Sequence, residues 1–294
     1  MKPKFMSPLL TVALLMFAGW AQAAASANCN ISVVPNTFAG TYSVTAGYKQ
    51  ALSLTVFCTR TATGTLTAVF SLSPDNGGNA SGSQNRAGVT PNFINYDIYT
   101  DNTCGTLLTN AFTYSLAIPS GIGSTASKVL TYEGCVPVQS PLPTAGGHND
   151  TVTITLATST AGVTITGSAL PTFSVSITTT AVCSISTLPG TVAFGTYTAF
   201  GSALTANTTF GATCTTLLPY TMSLDANSGV TTNGLNYSLL LNTAGSGGSN
   251  TLNSTGTGLA QSFFINGTMA AGQAGTCTTG TCAGTDTRTL TVTY

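Results

Sequence analysis

The chain has 294 residues, of which 5% are charged and 43% are hydrophobic. Seven basic residues balance seven acidic ones, which excludes the strongly basic composition of a nucleic-acid-binding protein. Thr, Ser, Gly, Ala and Asn dominate the composition. Disordered chains combine low hydrophobicity with high net charge, so we expect a folded protein.

The start of the chain predicts a secretory signal peptide. Lys2 and Lys4 precede an apolar run over residues 9–20, and an A-x-A sequence follows. The run is shorter than the ~20 apolar residues that a membrane span requires, and no later stretch approaches that length. Cleavage after Ala23 would leave residues 24–294, with five basic and seven acidic side chains and a formal charge of −2.

The remaining chain contains two copies of one pattern. Cys29-Asn-Ile-Ser returns as Cys183-Ser-Ile-Ser, and in each copy the same features follow in the same order. These are a proline, a Gly-Thr-Tyr, a Cys-Thr, an Asn-Tyr and a closing strand that begins with Asp-Thr. So many shared features indicate homologous domains. They stand at Pro35, Tyr42, Cys58, Tyr96 and Asp150, and at Pro189, Tyr197, Cys214, Tyr237 and Asp286.

Short alternating segments between Gly, Asn, Ser and Pro clusters predict β-strands in both copies. No sustained helical period follows the signal peptide. We therefore predict an all-β fold with two immunoglobulin-like β-sandwich domains in tandem. In the first copy the predicted strands cover residues 52–57, 66–72, 93–99, 112–118, 129–132 and 152–156.

Eight cysteines behind a signal peptide predict disulfides formed in an oxidising compartment. Cys29 and Cys58 occupy the same places as Cys183 and Cys214, so these are the natural pairs, although sequence alone does not fix connectivity. A metal site is the competing interpretation, and the single histidine and missing C-x-x-C motif count against it. The remaining pairs would be Cys104–Cys135 and Cys277–Cys282.

These residues resemble the spore coat protein U domain family, whose domains form the pilins of archaic (Csu-type) chaperone–usher pili. The resemblance covers both copies and is strongest over residues 183–294, whereas the first copy has a longer insertion around residues 104–143. It implies a sandwich that lacks its last strand. In the family, a neighbouring subunit donates that strand to the open sheet edge, and a periplasmic chaperone fills the gap beforehand.

Only the second copy is preceded by an alternating apolar strand, formed by Phe173, Val175 and Ile177, which resembles the family's donor strand. Residues 24–28, before the first copy, are too few and too weakly apolar to fill a groove. We therefore expect a subunit that accepts a strand, has none free to give, and stands at the end of a fibre. Either the donor-like strand or residues 163–167 could complete the first copy.

With this resemblance the chain divides into a signal peptide, an N-terminal adhesin domain, a linker with the donor-like strand, and an incomplete C-terminal pilin domain. The expected bounds are 1–23, 24–156, 157–182 and 183–294. In the family the chaperone docks on the closing strand, where Leu290, Val292 and Tyr294 alternate here.

We expect attachment through apolar loops at the end of the N-terminal domain away from the linker. The closing strand leads towards the linker, so the loop before it, within residues 134–143, is expected at that end. Exposed apolar loops commonly mark interaction surfaces; the alternative is that these side chains form small satellite cores. The predicted contact residues are Leu107, Leu108, Ile118, Ile122, Val136, Pro137, Val138, Pro141, Leu142 and Pro143.

Catalysis has little support. His148, the single histidine, is predicted to lie in a turn, and no nucleophile elbow accompanies it. We expect a non-enzymatic protein without cofactor or bound metal.

The resemblance implies a pilus tip adhesin that is secreted through the periplasm to the cell surface and promotes attachment and biofilm formation. Its expected partners are a periplasmic chaperone, an outer-membrane usher, the next pilin subunit and a hydrophobic or host surface, with no nucleic acid. A carbohydrate-binding lectin tip and a structural pilus or coat subunit are the alternatives.

Overall fold

The regular structure of this chain is all β. The computed structural model describes residues 24–33, 37–109, 111–166, 172–278 and 280–294, and within them the chain forms nineteen strands and no helix. The same ranges accordingly contain no helix able to cross a membrane. The predicted signal peptide, Pro35 and the last residue of segment 163–167 lie outside the described residues.

Eleven strands build an N-terminal sandwich. They are β1 (Ser26–Val33), β2 (Phe38–Tyr42), β3 (Tyr48–Ala62), β4 (Leu66–Pro74), β5 (Asn85–Val89), β6 (Asn92–Tyr99), β7 (Thr113–Ile118), β8 (Thr125–Val136), β9 (Gly146–Thr158), β10 (Val163–Ile165) and β11 (Thr172–Thr179). One sheet has the order β10-β1-β3-β8-β6-β5 and the other β2-β11-β9-β4-β7.

Strand alternation places the core between these two sheets. On β3, Leu52, Leu54 and Val56 are buried and the residues between them are partly exposed, as the two-residue period of a strand requires. The same alternation runs along β6 and β9. All six segments predicted in the first copy lie within strands, except that Phe112 precedes β7.

β11 completes the second sheet of the N-terminal sandwich. It pairs antiparallel with β9 over eight residues and parallel with β2 over five. Phe173, Val175 and Ile177 of β11 are buried in the common core. β10 meanwhile pairs parallel with β1 at the edge of the first sheet. Both segments considered from the sequence therefore contribute, one to each sheet.

Eight strands build a C-terminal sandwich with its own core. They are β12 (Cys183–Thr187), β13 (Leu204–Cys214), β14 (Pro219–Leu224), β15 (Ser228–Val230), β16 (Asn236–Asn242), β17 (Thr251–Thr255), β18 (Ala260–Met269) and β19 (Leu290–Thr293). The sheets have the orders β12-β13-β18-β16-β15 and β17-β14-β19.

The loop of residues 137–143, the interdomain loop, contacts the C-terminal sandwich. Leu142 donates its backbone N–H to the carbonyl of Gly258 at 2.9 Å. Thr216 donates its backbone N–H to the carbonyl of Pro143 at 3.2 Å and its hydroxyl to the carbonyl of Leu142 at 2.5 Å. These bonds join the two sandwiches directly.

The prediction that the loop within residues 134–143 lies away from the linker is therefore wrong. The closing strand β9 does lead away from this loop. β11 then reverses the chain and runs antiparallel to β9, so that Thr179 ends beside Gly146, where β9 began. The linker consequently leaves from the same end as the loop.

The prediction of His148 as a turn residue is also wrong. β9 begins at Gly146, six residues before the predicted segment, so His148 lies within the strand opposite Ile177. Its side chain is buried, and Nε2 lies 3.0 Å from the carbonyl oxygen of Thr144.

The disulfides follow the repeat. Cys29–Cys58 joins β1 to β3, and Cys183–Cys214 joins β12 to β13 at the same place in the second copy. The other two bonds are Cys104–Cys135 and Cys277–Cys282, which confirms all four expected pairs.

Candidate functional site

The first candidate site is the free edge of β19 in the C-terminal sandwich. Aligned by the repeat, β14 and β19 correspond to β4 and β9, which in the N-terminal sandwich are followed by β11 and β2. Within residues 183–278 and 280–294, no strand pairs with the other edge of β19. The N–H and C=O groups along that edge lack strand partners, which is the arrangement that accepts an added strand.

Side-chain burial differs between the two copies at this edge. In the N-terminal sandwich, Ile154 and Leu156 of β9 are 0% and 3% exposed. Leu290 and Val292 of β19 stand at the same places and are only partly buried, although they contact the C-terminal core. The terminal Tyr294 is 58% exposed. Apolar side chains that a further strand would cover therefore lie along the free edge of β19.

Residues 192–197 lie across from the free edge of β19, on the other side of the position where a further strand would pair. They follow β12 as β2 follows β1. Val192 and Phe194 are partly buried against the same core, but this segment makes no strand. In the N-terminal sandwich, β2 obtains its partner from β11. We attribute the missing strand at residues 192–197 to the missing partner.

A tyrosine–aspartate hydrogen bond positions the start of the closing segment in both copies. The hydroxyl of Tyr96 donates to Oδ2 of Asp150 at 2.7 Å, and that of Tyr237 donates to Oδ2 of Asp286 at 2.6 Å. The bond from Tyr237 lowers the pKa of Asp286. Arg288 adds an ion pair to Asp286 at 2.8 Å. These contacts hold the residues just before β19 in place, while the outer edge of β19 stays unpaired.

The second candidate site is the end of the N-terminal sandwich away from the interdomain loop. β8 connects the two ends, because it begins after residues 119–124 and ends immediately before the interdomain loop; its twelve residues span about 40 Å. Residues 63–65, 119–124 and 159–162 form this end, which we call the far pole. Ile122 there is 69% exposed.

Arg60 holds the loops of the far pole in place. Its side chain is 1% exposed, and Nε donates to the carbonyl of Ala62 at 2.7 Å while Nη2 donates to the carbonyl of Gly64. Its backbone bonds to Gly123 and Ser124 at 2.9 and 2.8 Å. One buried arginine thus fastens two of the three loops.

The predicted contact residues do not form one surface. Only Ile118 and Ile122 belong to the far-pole region, and Ile118 is buried at the end of β7. Leu107 is exposed and Leu108 buried in a segment beside β6. Val136 and Pro143 are buried, Leu142 is partly buried, and Pro137, Val138 and Pro141 are exposed in the interdomain loop.

Sequence reasoning missed the arginines. Arg60 and Arg86 lie within strands β3 and β5 of a chain that has only seven basic residues. An arginine within an otherwise apolar or small-residue strand is rarely buried without a specific partner. Their surroundings in the sequence could therefore have marked both arginines as residues with structural partners. No group of three or more His, Cys, Asp or Glu side chains in the described part of the chain could hold a metal ion.

Part of the chain is similar to a known domain family. Residues 16–155 match the sequence model of the Spore Coat Protein U domain. The match lies on the first copy, whereas the resemblance was expected to be strongest over residues 183–294. No curated protein matches the chain.

Solved structures of pilus proteins also align with the chain. The CsuC–CsuE chaperone–tip adhesion subunit pre-assembly complex from archaic chaperone–usher Csu pili of Acinetobacter baumannii is 16% identical, over 90% of this chain and 100% of that one, with a TM-score of 0.46. The CupB6 tip adhesin of Pseudomonas aeruginosa is 10% identical, over 86% and 89% of the two chains, with a TM-score of 0.28.

Proposed function

Because residues 16–155 match the sequence model of the Spore Coat Protein U domain, we propose that the protein is a two-domain tip adhesin of an archaic chaperone–usher pilus. In this proposal it is exported to the cell surface, accepts a strand from the next pilin subunit, attaches the cell to surfaces and promotes biofilm formation. A periplasmic chaperone and an outer-membrane usher handle it on the way.

The observation that carries the proposal is the difference between the two copies. In the N-terminal sandwich, β11 occupies the position between β9 and β2. β11 pairs with residues 146–153 of β9, which align with residues 282–289 just before β19. In the C-terminal sandwich no strand of the described residues pairs with that segment or with the outer edge of β19. The chain therefore presents a strand-acceptor edge, while its own donor-like strand is already paired within the same molecule.

This arrangement supports a place at the end of a fibre. A shaft subunit must fill a neighbour's vacancy as well as have its own vacancy filled. β11 makes hydrogen bonds on both of its edges, and its apolar residues are buried in the N-terminal core, so it is not available to a neighbour. In assembly, the chaperone and then the next pilin would occupy the edge of β19.

Surface contact is proposed for the far pole. Ile122 is the large apolar residue that the loop 119–124 exposes, and the bonds of this loop to Arg60 restrain it. A restrained loop loses less conformational entropy on contact. The interdomain loop, in contrast, is engaged with the C-terminal sandwich.

The acceptor edge can be tested by extending the chain after Tyr294 with a short turn and a second copy of the β11 sequence. The added strand should extend the sheet along the free edge of β19, so the extended chain should stay monomeric and unfold at a higher temperature. The matched control carries Asp in place of Val175 and Ile177 in the added copy only, and should behave as the unextended chain. Equal unfolding temperatures for all three chains would show that the C-terminal sandwich needs no further strand.

Attachment can be tested with assembled pili carrying Ile122→Ser. This change removes the exposed apolar side chain of the far pole and should reduce retention on hydrophobic plastic. Val129→Ser is the control, because Val129 is also exposed but lies on the sheet surface of β8. Equal retention of both variants and the unaltered pili would reject Ile122 as a contact.

The position in the fibre is tested by immunogold labelling of native pili. Label confined to fibre ends is expected. Label distributed along the shaft would instead support the structural-subunit alternative.

A further inference from the structure

A cleft of about 480 Å³ lies beside the interdomain loop, and the residues around it point to a second binding site. One side is formed by that loop and the other by the turn between β5 and β6, and Thr216 of the C-terminal sandwich also lines it. Its volume is within the range of about 300–1,000 Å³ that is usual for small-molecule sites.

The walls of the cleft are preorganised. Gln139 lies in the interdomain loop. Its Oε1 accepts a hydrogen bond from the backbone N–H of Asn95 at 3.2 Å, and its Nε2 donates to the carbonyl of Asn95 at 2.9 Å. Its own backbone N–H donates to the hydroxyl of the buried Tyr42 at 2.9 Å. The two walls therefore hold each other in place before any ligand binds, which lowers the entropy cost of binding.

Arg86 supplies a positive charge to this cleft. Nε donates to the carbonyl of Asn79 at 3.0 Å, Nη2 donates to that of Ala80 at 3.4 Å, and Cζ lies 4.2 Å from the centre of the Phe93 ring. These contacts fix the guanidinium but leave Nη1 without a partner in the described part of the chain. None of the lining residues is a carboxylate, so the cleft offers an oriented cation whose natural complement is a carboxylate.

The other lining groups suit a sugar. Asn92 lines the cleft, and its buried Oδ1 is an acceptor that has no donor among the described residues. Pro91, Pro137 and Pro141 add apolar surface for the C–H face of a pyranose ring. A single carboxylate matches the charge of one guanidinium, and no second basic residue lines the cleft to balance the further charge of a phosphate group.

We propose that this cleft binds a carboxylate-bearing sugar, a hexuronic acid residue of an acidic polysaccharide. The carboxylate accepts hydrogen bonds from the guanidinium of Arg86, a ring hydroxyl donates to Asn92, and the ring lies against the prolines. None of the residues that line the cleft belongs to β19 or to the far pole, so the proposal does not depend on the proposed pilus function.

The test compares D-glucuronate with D-glucose, which differ only at C6, by titration calorimetry on the processed chain of residues 24–294. Glucuronate is expected to bind at least about tenfold more tightly than glucose, since a charge-assisted hydrogen bond contributes on the order of a factor of ten or more. Arg86→Met should abolish this preference, and Arg86→Lys, which keeps the charge without the planar fork, should retain part of it. Lys128→Met is the matched control, because Lys128 donates to the carbonyl of Ser115 on the other side of β8 and does not line the cleft.

Equal affinity for the two sugars, or no binding of either, would overturn the proposal without touching the pilus function. So would an Arg86→Met chain that still prefers glucuronate. If Arg86→Met fails to fold, as its circular dichroism would show, the ratio of the two sugars on the unaltered chain and on Arg86→Lys still decides the matter.

Discussion

Arg60 shows how one buried side chain shapes an exposed surface. Its guanidinium donates to the carbonyls of Ala62 and Gly64, and its backbone forms hydrogen bonds with the loop 119–124. Nη1 has no hydrogen-bond partner among the described residues. The hydrogen bonds to the two carbonyls offset part of the cost of burying this cation.

We expect Arg60→Lys to lower the free energy of unfolding by about 1–3 kcal/mol, because an ammonium group cannot reproduce the planar fork that reaches both carbonyls. Amide hydrogen exchange at Gly123, whose N–H donates to the carbonyl of Arg60, should accelerate in the same variant. Chemical denaturation and exchange measured on the same sample check both effects. Unchanged exchange at this amide would mean that the loop is ordered without the Arg60 side chain.

Asp97 and Asp101 should respond to pH in opposite directions. Burial raises the pKa of Asp97, a shift partly opposed by the hydrogen bond from Gln84. Hydrogen bonds from the side chain and backbone of Thr103 lower the pKa of Asp101. Asp97 therefore contributes stability that is lost as the pH rises through its folded pKa, and Asp101 contributes stability that is lost as the pH falls through its own.

The expected result at pH 7 is that Asp97→Asn unfolds at the same temperature as the unaltered chain or higher, and Asp101→Asn at a lower one. The difference for Asp97→Asn should shrink as the pH falls below the raised folded pKa of Asp97, and that for Asp101→Asn only as the pH falls through the lowered folded pKa of Asp101. Thermal unfolding across this pH range checks the signs. Parallel curves for the two variants would contradict the assignment.

At the scale of elements, β11 is the strand on which the N-terminal sandwich depends. Val175 is buried between β2 and β9, opposite the inward-facing Asp150. Val175→Asp would place an unpaired charge in the core beside another carboxylate, so we expect a loss of about 3 kcal/mol or more. Ser174→Asp, on the exposed face of the same strand, should change stability by less than about 0.5 kcal/mol. Chemical denaturation of the two variants side by side checks the difference. Equal losses of stability would mean that the low strand propensity of Asp, and not the burial of Val175, causes the effect.

Local pattern was sufficient to predict most elements but not their direction across the molecule. Leu52, Leu54 and Val56 alternate within a few residues, so their strand and its buried face could be inferred from the sequence. The position of the interdomain loop depends on the antiparallel pairing of β11 with β9, which no local period encodes. For the same reason His148, among glycines and polar residues, was assigned to a turn.

At the scale of the site, the acceptor edge was inferable because the repeat shows which strand one copy has and the other lacks. The cleft beside Arg86 was not, because it joins two segments that are distant in sequence, residues 86–95 and 137–144, and one residue of the other sandwich. Its polar partners lie in stretches with no motif spacing, so nothing in the sequence marked them as neighbours.

The joint between the sandwiches is a feature of the whole molecule. A Cβ on Gly258 would lie 2.6 Å from the carbonyl oxygen of Leu142, so Gly258→Ala should force the interdomain loop away and loosen the joint. Gly272→Ala is matched in backbone conformation, with φ of +75° against +76°, but meets nothing within 4 Å.

Small-angle scattering should therefore show a larger radius of gyration for Gly258→Ala only. Both variants should lose about 1–2 kcal/mol from the left-handed backbone that alanine adopts poorly. Identical scattering from the two would show that the loop does not hold the sandwiches together.

The register of β11 also determines how the molecule would carry tension. A pull between the far pole and the C-terminal sandwich runs along the axis of β11, while its hydrogen bonds to β9 lie across that axis. Such a load shears all of the pairs at once instead of unzipping them one after another. At Cys183 the force then passes through a covalent bond to β13, so β12 is not peeled from its sheet.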